Sequence, residues 1–158
     1  MALTGPVFFD TSILLAGLVE MGDASLPAAR ILDEIARGSV PQPLTAWHCC
    51  LEFYSVATRL PPGLRLEPEV TRRLIEEEIL GRFQVYDLPR DSRSQLFADA
   101  ASNRVSGGRI YDVHIAEIAR LAGARVVVTD NERHFVALLR YGIQVRNGAA
   151  YVEECGLQ

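Results

Sequence analysis

The chain contains no lysine, because all sixteen of its basic residues are arginine. Sites that need a lysine beside a transferred phosphoryl group are therefore excluded. The chain also has no run of about eighteen apolar residues, since Asp10 interrupts the best N-terminal candidate. No basic segment precedes that candidate. These absences argue against secretion and against a membrane span, and they predict a cytoplasmic protein.

Cysteine is scarce, and its spacing fits neither a zinc site nor a disulfide framework. Cys49 and Cys50 are adjacent, and Cys155 stands alone near the C-terminus. The sequence has no Cys-x-x-Cys pair and no Cys/His cluster with zinc spacing. We therefore expect buried, reduced thiols, which are typical of cytoplasmic proteins.

Short apolar runs alternate with helical periods along the 158 residues. The predicted strands are 7–10, 40–44, 83–86, 125–129 and 143–145, and the predicted helices are 11–20, 25–37, 46–59, 67–81, 91–102, 110–121 and 131–140. No repeat or linker interrupts this order. The alternation predicts one domain over residues 1–158, with an α/β fold in which three layers, α/β/α, enclose a central parallel sheet.

Four acidic residues follow or flank these elements at places that would gather them into one pocket. Asp10 ends the first apolar run and Asp130 ends the fourth, so both are expected in the crevice beyond the carboxyl ends of parallel strands. Glu52 lies within an apolar helical stretch, and Asp112 lies in the first turn of another helix. Four converging carboxylates would raise one another's pKa, and a divalent cation relieves that repulsion. The pattern predicts a metal site.

Each acid also has a structural explanation that remains open. Asp10 could cap a helix, Asp112 could complement a helix dipole, and Asp130 with Asn131 could form an Asx turn. Glu52 is harder to explain in this way, because its helix leaves it no clearly polar face and a buried glutamate needs a partner.

At these residues the chain resembles the PIN-domain ribonucleases found as VapC-type toxins. The resemblance covers roughly residues 7–145, and its most specific segment is the stretch around Asp112. The family's fourth position aligns with Asn131, whereas the acid in this chain is Asp130, so either residue is expected to serve the metal. The matching segments are 7–12, the helix containing Glu52, 107–116 and 129–135.

The resemblance implies hydrolysis of RNA phosphodiester bonds with Mg²⁺ or Mn²⁺, and hard oxygen ligands suit those ions. We expect Asp10 and Asp112 to bind the metal directly. Glu52, with Asp130 or Asn131, is expected to hold the metal's waters or a second ion. The predicted catalytic residues are Asp10, Glu52, Asp112 and Asp130.

Hydroxyl and guanidinium groups extend this prediction to the substrate. Between Arg104 and Arg146 the chain has seven arginines and four acids, so that a neutralising metal would leave the region positive, although arginines on a solvated helix face are the alternative. We expect His114 and His134 to be structural or exposed. The hydroxyls expected to contact ligand oxygens or phosphate are Thr11, Ser12 and Thr129, and the arginines expected to bind phosphate are Arg109 and Arg133.

Other function classes and partners follow from the same residues. Haloacid dehalogenase phosphatases and phospho-receiver domains also place an Asp after the first strand, but both expect a lysine. A PIN nuclease that processes or surveys RNA, and a non-catalytic PIN module that binds RNA or a partner, remain alternatives to a toxin. The resemblance implies an antitoxin, and a homodimer is expected because dimers are the commonest assembly. The apolar residues expected either to dock the antitoxin or to pack the core are Ile13, Leu14, Leu15, Leu18, Ile31, Leu32 and Ile35.

Overall fold

A five-stranded parallel sheet forms the centre of the computed structural model, which describes residues 3–157. Along the sheet the strands lie in the order β3-β2-β1-β4-β5, and all four pairings are parallel. Their carboxyl ends therefore meet at one edge. The strands are β1 (Val7–Phe9), β2 (Pro43–Ala46), β3 (Gln84–Tyr86), β4 (Val126–Val128) and β5 (Gln144–Arg146).

Helices flank this sheet, and the predicted three-layer α/β/α fold is confirmed. A π-helical segment, Ile75–Leu80, extends the fourth helix. None of the helices within residues 3–157 is long and apolar enough to cross a membrane. The α-helices are α1 (Thr11–Leu18), α2 (Leu26–Ala36), α3 (Trp47–Ala57), α4 (Pro68–Leu74), α5 (Arg93–Ser102), α6 (Arg109–Leu121) and α7 (Gly148–Cys155).

The central pair of strands, β1 and β4, has the most completely buried sequence. Each residue of Val7–Phe9 and of Val126–Val128 is buried, which explains why neither strand alternates polar and apolar positions. Val7 pairs with Val126 and Phe9 with Val128. This register places Asp10 and Thr129, the residues that follow the two strands, side by side at the carboxyl edge.

The apolar residues of α1 and α2 pack against the sheet and against each other. Five of the seven residues considered for antitoxin docking are buried, and the remaining two, Leu15 and Leu18, are partly buried against the same core. Gly17 permits this packing, since a Cβ there would lie 2.5 Å from Leu32 Cδ2. For the five buried residues the docking interpretation is wrong, and the alternative that they pack the core is confirmed.

Two local predictions differ from the structure, and one helix was missed. The strand predicted at 40–44 lies at Pro43–Ala46. Residues 131–140 do not form one α-helix but two 3₁₀ helices, Glu132–His134 and Val136–Tyr141, because Phe135, at φ −116° and ψ 4°, interrupts the helix. Helix α7 was not predicted, although Asn147 caps it through a hydrogen bond from the Ala150 backbone N–H at 2.8 Å.

Candidate active site

Asp10 lies at the carboxyl end of β1, and its side chain is held by two hydroxyls. The residue is 4% exposed, and its Oδ2 accepts hydrogen bonds from Thr129 Oγ1 at 2.8 Å and from Ser12 Oγ at 3.1 Å. It occupies the N-cap position of α1, but its carboxylate makes no capping hydrogen bond. Capping therefore does not explain this acid.

Two backbone N–H groups that follow β4 orient the hydroxyls of Ser12 and Thr129. Ser12 Oγ accepts a hydrogen bond from the Asp130 backbone N–H at 3.0 Å, and Thr129 Oγ1 accepts one from the Asn131 backbone N–H at 3.0 Å. Because each hydroxyl accepts from an amide, its own proton is available to Asp10. Burial raises the pKa of Asp10, and the bond from Thr129 opposes that rise.

Glu52, on α3, interacts electrostatically with two other acids of the pocket. Its carboxylate lies 3.6 Å from His48 Nε2, and this contact with His48 is the main cause that lowers the pKa of Glu52. Its negative charge in turn adds to the effect of burial in raising the pKa of Asp10 and of Asp112. Three of the four predicted acids therefore share one electrostatic neighbourhood.

Asp112, in the first turn of α6, has a histidine partner from the segment after β4. His134 Nδ1 lies 2.9 Å from Asp112 Oδ2, and Arg133 Nε donates to His134 Nε2 at 3.2 Å. Since Arg133 supplies a proton to Nε2, the neutral ring carries its own proton on Nδ1 and donates it to Asp112. Burial raises the pKa of Asp112, and the neighbouring His134 ring opposes this rise.

All three histidines of the chain lie around these acids, which the sequence did not indicate. His48 Nδ1 and His114 Nδ1 are 2.7 Å apart, and the two ring centroids are 4.9 Å apart. Burial lowers the pKa of His114, and the charge of His48 lowers it further. The spacing of His48 four residues before Glu52 on one helix is a signal that could have identified His48.

Asp130 and Asn131 differ from the other predicted ligands, since both side chains are exposed. Asp130 Oδ1 accepts a hydrogen bond from the Gly148 backbone N–H at 3.2 Å, at the start of α7. One carboxylate oxygen of Asp130 is therefore engaged by that helix. The backbone amides of both residues hold the Ser12 and Thr129 hydroxyls that contact Asp10, and the assignment of their side chains to the metal stays a prediction.

The two arginines expected to bind phosphate line one cleft. Arg109 at the start of α6 and Arg133 are exposed, and with Arg140 they border a cavity of about 220 Å³ between α5, α6 and the 3₁₀ segment. Asp99 and Glu117 line the same cleft, so its three guanidinium groups exceed its acids by one positive charge, a modest preference for an anionic chain.

The pocket fits a hydrated hard cation better than a cation held by a full set of side chains. Within residues 3–157, no three or more His, Cys, Asp or Glu side chains form a compact metal-binding group. The buried Thr11 Oγ1, however, has no hydrogen-bond partner, although Thr11 is only 2% exposed. Mg²⁺ typically uses one or two carboxylates and keeps several waters, and such waters would also satisfy a hydroxyl of this kind.

Fold and site together define an α/β protein with an acidic pocket at the carboxyl edge of a parallel sheet. The family model described as the PIN domain matches residues 7–138, and the chain belongs to this family. Ribonuclease VapC40 of Mycobacterium tuberculosis is 31% identical over 121 residues, which cover 77% of this chain and 84% of the relative.

Two solved structures share the fold. FitAcB from Neisseria gonorrhoeae has a TM-score of 0.60 at 19% identity, with 90% of this chain and 98% of that chain covered. VapBC-1 from nontypeable Haemophilus influenzae has a TM-score of 0.61 at 17% identity, with 92% and 99% covered.

Proposed function

We propose that this chain is a single PIN domain over residues 1–158 that hydrolyses RNA phosphodiester bonds with Mg²⁺ or Mn²⁺. The observation that carries the proposal is the common neighbourhood of Asp10, Glu52 and Asp112 at the carboxyl edge of the sheet. Carboxylates at this edge without cationic side chains to neutralise all of them are suited to a hard cation. The similarity to Ribonuclease VapC40 supports RNA as the substrate.

The residues of the pocket divide into ligands and supports. Asp10 and Asp112 would hold the ion, and a bound ion would supply an activated water as the nucleophile. Ser12 and Thr129 keep Asp10 oriented through hydrogen bonds to Oδ2. His134 does the same for Asp112.

The remaining side chains of the pocket and of the arginine-lined cleft would contact water molecules or the RNA substrate. Glu52 would accept a proton from a water or hold it by a hydrogen bond, with the Thr11 hydroxyl beside it at the floor of the pocket. Asp130 and Asn131 would bind the ion's outer waters. Arg109 and Arg133 would hold substrate phosphates in the arginine-lined cleft.

The test is cleavage of single-stranded RNA with Mg²⁺ or Mn²⁺, with and without EDTA. Asp10→Asn and Asp112→Asn should each lower the rate by more than about 100-fold, since even residues behind metal ligands are worth about 10–100-fold. Asp33→Asn, an exposed acid on α2, is the matched control and should leave the rate unchanged. Full activity in EDTA, or in either pocket variant, would contradict the proposal.

The proposal also makes the chain a VapC-type toxin, cytoplasmic and homodimeric, with an antitoxin partner. The similarity to VapC40 and to the VapBC-1 fold supports this role. Expression of the chain alone should arrest growth, and co-expression of an adjacent small antitoxin gene should restore it. Normal growth at levels where the protein is soluble and cleaves RNA would instead assign it to RNA processing.

A further inference from the structure

An aromatic groove lies beside the acidic pocket. Trp47 at the start of α3, Phe97 on α5 and Tyr111 on α6 are 44%, 65% and 57% exposed, and they line one open cavity of about 690 Å³. Exposed aromatic rings grouped in this way are typical of a binding surface. We call this cavity the aromatic groove.

The aromatic groove lies next to His48, through His114 and Tyr111 of its lining. Trp47 precedes His48, the partner of Glu52, and Tyr111 precedes Asp112 in the first turn of α6. The Tyr111 ring centroid is 5.5 Å from that of His48. A ligand in the groove would therefore sit next to the bond that the pocket would hydrolyse.

Polar side chains in the wall of the aromatic groove favour a ligand that is itself partly polar. Arg93, Asp87 and His114 line the groove together with the three rings. Aromatic faces with a guanidinium beside them are the arrangement that binds bases and phosphates of single-stranded nucleic acid. This combination of stacking faces and both charge signs favours a nucleotide over an apolar peptide.

Asp87 gives the groove a means to select one base. An ionised carboxylate only accepts hydrogen bonds, and it can accept two side by side. Among the four RNA bases, guanine alone presents two adjacent N–H groups, N1–H and the N2 amino group, on its Watson–Crick edge. The other bases present at most one donor group next to an acceptor.

We propose that the aromatic groove is a nucleobase subsite that binds a guanine of single-stranded RNA beside the scissile phosphate. Trp47, Tyr111 and Phe97 stack on the base or its neighbour, Asp87 reads its edge, and Arg93 contacts a flanking phosphate. This inference rests on the proposed ribonuclease function and adds its substrate preference.

The single tryptophan of the chain makes the subsite directly measurable, because Trp47 fluorescence reports from the groove alone. Four pentaribonucleotides that differ only in the central base, UUGUU, UUAUU, UUCUU and UUUUU, are titrated in EDTA, where no cleavage occurs. We expect quenching with all four and about tenfold tighter binding of UUGUU. Absence of quenching, or equal affinities, would overturn the proposal.

Variants separate base stacking from apolar docking. Tyr111→Leu and Phe97→Leu keep an apolar side chain but remove the ring, so each should weaken UUGUU binding by about 5–100-fold. Asp87→Asn should remove the preference for guanine. Tyr54→Leu is the matched control, since this ring on α3 is 41% exposed but lines neither the aromatic groove nor the arginine-lined cleft.

The outcomes distinguish this inference from the proposed function. Wild-type affinity in both leucine variants would show that the groove accepts any apolar group, such as a peptide, and would overturn the nucleobase subsite. Binding is measured without metal, whereas cleavage by the wild-type chain requires it. Failure of cleavage with selective binding would therefore refute the nuclease and leave the subsite intact.

Discussion

The hydrogen bond between Thr129 and Asp10 predicts a measurable loss of stability in Thr129→Val. Valine has nearly the same shape as threonine, so the fully buried site stays filled. The change removes the 2.8 Å bond to Asp10 Oδ2 and the 3.0 Å bond from the Asn131 backbone N–H. The effect therefore reports on polar contacts and not on packing.

The magnitude follows from the charge of the acceptor. A hydrogen bond to a charged group contributes about 1.5–3 kcal/mol, and the amide of exposed Asn131 can turn to water instead. We expect Thr129→Val to lower the free energy of unfolding by about 2 kcal/mol at neutral pH. For a domain of this size that corresponds to a fall in Tm of about 4–8 °C.

The effect should depend on pH with a defined sign. Burial raises the pKa of Asp10 in the folded state above its ordinary 3.8, so this group destabilises the fold increasingly as pH rises from 3.8 through the raised value. Loss of the Thr129 donor raises the pKa of Asp10 further. The pH range over which Asp10 increasingly destabilises the fold then extends to higher pH. The difference between wild type and variant should thus grow with pH and become constant once the pH exceeds the pKa of Asp10 in the folded variant.

Urea unfolding followed by circular dichroism, in EDTA, measures these differences. Thr71→Val is the matched control, because Thr71 is equally buried but donates to the neutral Glu67 carbonyl at 3.0 Å. It should cost about 0.5–1.5 kcal/mol at every pH. In an Asp10→Asn background, Thr129→Val should cost about 1 kcal/mol less than in wild type. An unchanged cost in that background would refute the assignment of the bond to a charged Asp10.

Three further predictions concern the same pocket. Asp10→Asn should raise the stability of the metal-free protein at neutral pH, because it removes a buried charge whose pKa is raised, and thermal unfolding in EDTA should show no gain at acidic pH. Asp130→Ala should raise the Mg²⁺ concentration for half-maximal cleavage more than Asn131→Ala does. Equal or reversed effects would show that Asn131, which aligns with the family's fourth position, serves the metal at least as well as the charged Asp130. His134→Phe, which leaves Asp112 without its ring N–H, should weaken Mg²⁺ binding by calorimetry about 10–100-fold, and unaltered binding would show that His134 only fills space.

The sequence predicted the elements that position the acids because their signals are local. The apolar runs of β1 and β4 are buried on both faces, and the acids follow them directly, so strand and site could be read together. Glu52 was identifiable because a charge within an apolar helix needs a partner.

Other features depend on contacts between distant segments, which spacing does not reveal. His48 and His114 are 66 residues apart, and His134 reaches Asp112 from a different element. The 3₁₀ segment was mistaken for an α-helix because buried Phe135 and Leu138, three residues apart, suit either helix type. Helix α7 was missed although its cap residues, Asn147 and Gly156, were visible in the sequence.

The pairing of β1 with β4 also determines at which stage of protein synthesis the site around Asp10 can form. The bond between Thr129 and Asp10 joins residues 119 apart, and β1 lies at the centre of the sheet between β2 and β4. A nascent chain that has not yet extended past β4 contains Asp10, Glu52 and Asp112 but not the strand that brings the hydroxyl of Thr129 to the first of them. Such long-range closure is slow compared with local folding. The carboxylate of Asp10 therefore lacks this hydrogen bond until the chain has been synthesised past β4 and β4 has joined the sheet.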